Sequence, residues 1–284
     1  MIKKQTFDSG KSGKHVLILG AVHGNEIAGV LAQQEIIRFI LDGKINLKSG
    51  SVTFIPIVNE RAYEKDVRFI DVNLNRVIQF HPTPLKYEEV IANELIKEIE
   101  RADILLDLHS THCPEDKPFA FIDYPTAENE NFLKIIPVDT ALAGWPEIYK
   151  NNAQIENNCT EEYAYRHQKL ALTVECGYHK NEEAVQVARH SILNALLKFD
   201  VIEGEKPKEY TKKIIRLDSF VVKEEEGNLT KEYKHLDEVF ENEPLAVYQS
   251  GKTLQAPFNG FIIMPNKEAT IGAEWFYIGM EKTV

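Results

Sequence analysis

Cysteine is scarce in this chain. The three present, Cys113, Cys159 and Cys176, form neither a CxxC pair nor a disulfide framework, and their odd, small number points to a reducing compartment. Long hydrophobic runs are lacking too. None approaches the roughly 20 apolar residues of a membrane span. After Met1-Ile2-Lys3-Lys4 the first apolar run is about six residues, with no small-residue cleavage pattern behind it, so no signal peptide is expected. Positive charge is in deficit: 33 Lys and Arg against 44 Asp and Glu give a formal net charge of −11. A general nucleic-acid binder, whose affinity rests on a basic surface, is thereby disfavoured. A locally positive pocket remains compatible with an acidic protein. There is no internal repeat and no low-complexity tract. The expectation is a cytoplasmic protein with neither nucleic acid nor membrane as partner.

What is present is ordinary in bulk: 284 residues, 43% hydrophobic and 27% charged, enough for one large domain or a core domain plus a small one. The order of the segments is more informative. His15 to Gly20 reads as a buried strand, and residues 25–42 as a helix with Asn25 as N-cap. Ser51 to Val58 is a second strand, with Pro56 marking an edge or an end. Residues 59–85 lack periodicity but are rich in Asn and Arg, which suggests a functional segment. A helix is predicted over 86–101, with Val90, Ile91, Leu95 and Ile99 inward. Strands follow at 103–109 and 119–124, a helix at 127–135, a strand at 170–177 and a helix at 182–199. Residues 140–168 give no clear pattern. Alternating strands and helices predict an α/β class with a mixed, largely parallel sheet flanked by helices. After the charged, Gly- and Pro-containing run 203–208 the texture changes to short strands at 213–222, 244–249, 260–264 and 274–280, with a brief helical candidate at 236–240. The expected division is residues 1–202 as a catalytic domain and 203–284 as a small C-terminal β-rich domain.

The chemistry centres on His23-Gly24-Asn25-Glu26, between the first strand and the first helix. Spaced three apart at such a junction, an imidazole and a carboxylate can converge on a divalent ion such as zinc. HxxE alone is common by chance, and Glu26 could equally be a first-turn acid favoured by the helix dipole. A catalytic zinc wants three protein ligands and an open position. His109, at the end of its strand, is the natural third, because sites in parallel sheets gather at the carboxyl ends of strands. A separate cluster of His109, His112 and Cys113 would be cramped. Glu175 ends another strand. A carboxylate in an apolar run is costly unless paired or functional, and it could take a proton from a metal-activated water. Cys176 beside it has no evident basic partner and reads as a small buried residue. In the segment Arg68 to Arg76, Asn75 and Arg76 could grip a carboxylate, and Arg68 could face a carbonyl oxygen.

His23-Gly24-Asn25-Glu26, Arg68 with Asn75-Arg76, Asp107-Leu108-His109-Ser110-Thr111 and Val174-Glu175-Cys176-Gly177 occur together in the order and approximate spacing of the succinylglutamate desuccinylase/aspartoacylase family. The resemblance spans roughly residues 15–180; the tail resembles the family's C-terminal β domain only in texture. It implies a zinc-exopeptidase-like fold and one zinc ion per chain on His23, Glu26 and His109. It implies Glu175 as general base and proton donor, Arg68 at the carbonyl, and Asn75 and Arg76 on the α-carboxylate. In aspartoacylases a further arginine about ten residues before the catalytic glutamate reads an acidic side chain; here Arg166 stands nine before Glu175. A tyrosine from the C-terminal domain also serves there. At the nearest position this chain has Thr270 or Ile271, with Tyr277 further on. The implied activity is hydrolysis of the amide of a small N-acyl amino acid bearing a free carboxylate. Alternatives are a zinc carboxypeptidase acting on peptides and a catalytically silent metal- or ligand-binding homologue. The oligomeric state stays open, a homo-oligomer included.

Overall fold

A computed structural model describes residues 2–150 and 157–282 of the chain. Two compact units emerge, Met1–Thr140 with Glu156–Lys212, and Ala141–Ile155 with Lys213–Val284. In the first part of the chain the elements are β1 (Gln5–Asp8), β2 (His15–Gly20), α1 (Ala28–Leu41), β3 (Ser51–Ile55), α2 (Glu60–Glu64), α3 (Tyr87–Arg101), β4 (Ile104–Thr111), β5 (Phe119–Phe121) and α4 (Ala127–Leu133). There follow β6 (Thr140–Ala143), α5 (Trp145–Lys150), α6 (Thr160–Arg166), β7 (Leu170–Tyr178) and α7 (Glu182–Lys198).

The first unit is built on a sheet in the order β1-β3-β2-β4-β7-β5. Its centre is parallel: β2 pairs with β3 and β4, and β4 with β7. The outer strands β1 and β5 run antiparallel. The central strands are mostly apolar, as strands covered on both faces tend to be, and among the polar exceptions Asp107 lies midway along β4 while His109 and Glu175 lie in the C-terminal halves of β4 and β7. Val16, Leu17, Ile18 and Leu19 are all fully buried. One core layer joins Leu17, Leu19, Leu105 and Ala171 of the sheet to Ile91, Leu95 and Ile99 of α3. This parallel arrangement puts the ends of β2, β4 and β7 on one edge.

Several expectations shift in detail. α1 begins at Ala28 with Ile27 as its cap residue, and no side chain caps it. Asn25 instead lies in the turn before the helix, with its Oδ1 buried and unpartnered. β3 stops at Ile55, just before Pro56, and is flanked by β1 and β2, so the proline marks an end and not an edge. Val90 is exposed on α3, whereas Glu88 is fully buried. The patternless stretch 140–168 contains β6, α5 and α6, each too short to impose a period.

The second unit carries β8 (Lys213–Val222), β9 (Gly227–Leu229), β10 (Asp237–Val239), β11 (Pro244–Tyr248), β12 (Thr253–Gln255), β13 (Gly260–Ile263) and β14 (Glu274–Glu281). Its strands run β6-β8-β14-β13-β10, beside a small antiparallel sheet β12-β11-β9. Trp275, Phe276, Ile278, Tyr248 and Leu245 form its core. The helical candidate at 236–240 is a strand instead. Leu236 takes φ 68° and turns the chain into β10, which pairs with β13. Tyr277 lies in this unit's interior, sharing hydrogen bonds with Tyr149 (2.9 Å) and Glu274 (2.5 Å). Among the described residues no helix is long and apolar enough to cross a membrane.

Candidate metal centre and active site

His23 is placed by an abrupt turn at the end of β2. Ala21 takes φ 44°, a backbone conformation that costs energy for a residue with a side chain. The turn is held by Val58 N–H to Gly20 O and Asn59 N–H to Ala21 O, both 3.0 Å. Gly24 is demanded by proximity and not by its own torsion: a Cβ there would sit 2.1 Å from the backbone of Ala62 in α2. Glu26 N–H then donates to His23 O at 3.1 Å, closing a turn that lays the two side chains together.

The cluster is tight and buried. His23 Nδ1 lies 2.8 Å from Glu26 Oε1, and His109 Nδ1 lies 2.8 Å from Glu26 Oε2. The two Nδ1 atoms are 3.2 Å apart. Each residue is no more than 3% exposed, so the polarity is not there for solubility. The outer imidazole nitrogens face further polar groups. His23 Nε2 is 3.0 Å from Asn73 Oδ1, and His109 Nε2 is 3.1 Å from Asp107 Oδ2. Both rings therefore turn Nδ1 inward; His23 Nε2 is hydrogen-bonded from behind, the usual support of a metal-binding histidine, while His109 Nε2 has the Asp107 carboxylate at ion-pair distance without an aligned hydrogen bond. One ligand atom from each of His23, Glu26 and His109 falls within 4.8 Å of the others. Two imidazoles and a carboxylate fit zinc in kind and in number.

Electrostatics follow from burial and crowding. Desolvation, then the Arg68 charge, lowers His23 to about 4. Burial alone would raise Glu26, but His23 and His109 outweigh it and hold the carboxyl well below its usual range. For His109 burial pulls downward; Asp107 and Glu26 overcome it and raise the imidazole well above its ordinary value. Glu175 stands opposite His109 in the β4–β7 register. Burial, then the charge of Glu26, pushes it up to about 8, and its Oε2 is buried without a hydrogen-bond partner.

Arg68 reaches the cluster directly, donating from a terminal nitrogen to Glu26 Oε1 at 3.0 Å, while its side chain stays half exposed. Asn75 and Arg76 lie in a short 3₁₀ turn, Leu74–Arg76. Asn75 Oδ1 accepts from Thr160 N–H at 3.0 Å, and Arg76 donates to Asn75 O at 2.9 Å. Arg166, at the end of α6, is exposed and pairs with Glu162 at 2.6 Å. For it to meet an acidic ligand group, that pair would have to open.

Sequence reasoning missed four supporting residues. Asp107 and Asn73 back the two imidazoles. Thr160 donates its hydroxyl to Asp107 Oδ2 at 2.5 Å. Glu88, fully buried, accepts from the backbone N–H groups of Ile70 (2.7 Å), Asp71 (3.0 Å) and Val72 (3.1 Å), and from Asn59 Nδ2 (3.1 Å). It thereby pins the loop that carries Arg68 and Arg76. Only Asp107 had a signal in the sequence: positions i and i+2 of a strand share a face, so Asp-x-His places a carboxylate beside the imidazole.

Comparison with known proteins agrees with this geometry. A family model described as the succinylglutamate desuccinylase/aspartoacylase catalytic domain matches residues 12–198. The chain is 38% identical over 109 residues to a probable aspartoacylase of Prochlorococcus marinus (strain MIT 9515), and 32% identical over 117 residues to the aspartoacylase of Danio rerio. These matches take in 35% and 36% of this chain and span only 35% of the length of either relative. In fold the chain resembles a succinylglutamate desuccinylase/aspartoacylase of Rhodobacter sphaeroides (TM-score 0.77, 20% identity, covering 96% of this chain and 87% of the other). It likewise resembles the ectoine utilization protein EutE (DoeB) of Ruegeria pomeroyi (TM-score 0.79, 20% identity, 99% and 89%). With its buried His-Glu-His cluster at the ends of parallel strands and the family's catalytic domain matched along well over half of its length, the chain belongs to the succinylglutamate desuccinylase/aspartoacylase family.

Proposed function

We propose that this protein is a zinc-dependent hydrolase that cleaves the amide bond of a small N-acyl amino acid. The observation that carries the proposal is the juxtaposition of the inward-facing His23, Glu26 and His109 donors with a buried, unpartnered carboxyl oxygen of Glu175. Zinc held there, one ion per chain, supplies a Lewis acid that acidifies water and polarises a carbonyl. Glu175 takes the proton of the attacking water and returns it to the departing nitrogen, so that acid and amine leave with atoms balanced. Arg68, beside Glu26, offers a guanidinium to the carbonyl oxygen as its charge develops. Asn75 and Arg76 hold the free carboxylate of the amino-acid half. The names of the aspartoacylase relatives support the same reaction class. A cytoplasmic location belongs to the proposal and is supported by the three cysteines without a framework.

The test is a panel of N-acetyl, N-succinyl and peptidyl amino acids on zinc-loaded protein. Release of free amino acid from one or more N-acyl substrates is expected. Cleavage of peptides alone would make the protein a carboxypeptidase, and no cleavage with one zinc bound per chain would make it a binding homologue.

A further inference from the structure

Behind the metal centre a run of hydrogen bonds joins the 73–76 turn to the carboxylate at the back of His109. It passes through Thr160, a residue with no part in the reaction outlined above. Thr160 is the first residue of α6 and is fully buried. Its backbone N–H donates to Asn75 Oδ1 at 3.0 Å, and its hydroxyl donates to Asp107 Oδ2 at 2.5 Å. One residue thus touches both halves of the proposed site: a group that grips a carboxylate, and the carboxylate that stands behind a ligand histidine.

Each contact fixes an orientation. The Asn75 amide carries an acceptor at one end and two donor hydrogens at the other. With Oδ1 taken by the Thr160 N–H, the end left for a ligand is Nδ2, which has the polarity an anion needs. An anion on Nδ2 polarises the amide and strengthens Oδ1 as an acceptor, which tightens the hold on Thr160. Asp107 is fully buried, and its Oδ1 has no hydrogen-bond partner among the described residues. Its Oδ2 takes the Thr160 hydroxyl and lies 3.1 Å from His109 Nε2. Loss of that hydroxyl frees the carboxylate to turn, and the support of His109 loosens. The other ligand histidine leans on the same turn by a separate path: His23 Nε2 and Asn75 N–H each lie 3.0 Å from Asn73 Oδ1.

We propose that Thr160 is a positioning residue that couples the metal centre to the carboxylate grip. Its N–H turns the Asn75 amide and its hydroxyl holds Asp107 behind His109, so that metal and substrate carboxylate tighten one another's binding. This deepens the proposed function and rests on it for the roles of Asn75 and His109. Coupling between two binding sites is reciprocal, so the effect of the grip on the metal also measures the effect of the metal on the grip.

The test is a double-mutant cycle read with zinc alone, its affinity for the full chain measured by competition with a chromophoric chelator. Thr160→Val removes the hydroxyl but keeps the backbone N–H and a side chain of similar size; zinc is expected to bind roughly tenfold more weakly. Thr160→Ser retains the hydroxyl and should bind zinc almost as tightly as wild type, which separates the hydrogen bond from lost packing. Asn75→Ala leaves the Asn75 N–H on Asn73 but removes the acceptor of the Thr160 N–H, and should weaken zinc several-fold. In the double variant the two effects should fall well short of multiplying, because the second change acts through a link already cut. Unchanged zinc affinity in Thr160→Val, equal losses in Thr160→Ser and Thr160→Val, no effect of Asn75→Ala, or effects that multiply would each overturn the coupling. Hydrolysis of N-acyl amino acids by the wild type, assayed separately, keeps the two proposals apart. A non-multiplying cycle without hydrolysis supports the coupling and overturns the hydrolase, whereas hydrolysis with a multiplying cycle overturns the coupling alone.

Discussion

At the scale of single residues, the centre is a contest between burial and charge. His109 keeps its proton well above the ordinary range because Asp107 and Glu26 flank it, and His23 has lost its proton by about pH 4. A metal ion must displace the His109 proton to use its Nδ1, so zinc binding should release protons and weaken as pH falls. Titration of zinc affinity between pH 6 and 8 checks this; an affinity independent of pH would contradict the protonation scheme. Glu175 must be ionised to act as a base, so turnover should fall as pH drops through its value. That value is about 8, with burial and the charge of Glu26 outweighing His109 and Arg68, and further positive charge brought to the cluster lowers it. A kcat/KM profile with an acidic limb at or below pH 8, absent in Glu175→Gln, is the expected outcome. His109→Ala removes one of the three proposed ligands and should lose the metal, which metal analysis of the purified variant checks.

At the scale of elements, the site depends on one loop fastened to one helix. Glu88 of α3 gathers three successive backbone N–H groups of residues 70–72. Glu88→Gln replaces an acceptor by a donor against one or more of them. The expected cost is on the order of 2–3 kcal/mol of stability. The larger consequence is for Arg68 and Arg76, whose loop is released, so KM should rise while zinc is retained. Denaturation together with steady-state kinetics checks both, and unchanged KM would show that the loop does not need this anchor. This helix also shows where sequence reading stops. The strands β2, β4 and β7 are legible because burial on both faces forces apolar runs, and the groups proposed for catalysis stand out as charged or polar residues near the ends of those runs. Glu88 is illegible because its partners are backbone amides of an irregular segment, which leave no pattern in the side chains. Asn25 looked like a helix cap for a similar reason. The turn that sets the true helix start depends on Ala21 and on the approach of Gly24 to Ala62, neither of which has a local signature.

At the scale of the whole molecule, acid should weaken the fold through a histidine far in sequence from the metal-centre residues. In the second unit His235 is half-buried, with Nδ1 accepting from Met264 N–H at 3.1 Å, and desolvation lowers it to about 4. The unfolded chain takes up this proton near pH 6.5, the folded one only near 4. Stability is thus intact above 6.5 and falls as pH drops toward 4, by about 3 kcal/mol in the limit. His235→Gln should flatten that dependence in urea titrations of the full chain, and an unchanged slope would contradict it. The β-rich texture of this unit was readable from its turn residues, whereas the membership of Ala141–Ile155 was not, since it is set by packing between segments distant in sequence. The claim on which the functional account stands is that the Glu175 carboxylate, with one oxygen buried beside a His-Glu-His cluster, drives amide hydrolysis. The most direct measurement is amino-acid release from N-acyl amino acids by zinc-loaded wild type and Glu175→Gln, with bound zinc assayed in parallel. The account predicts equal zinc in both and a loss of turnover in the variant of roughly 10²- to 10⁴-fold. Near-normal turnover by zinc-replete Glu175→Gln would contradict it.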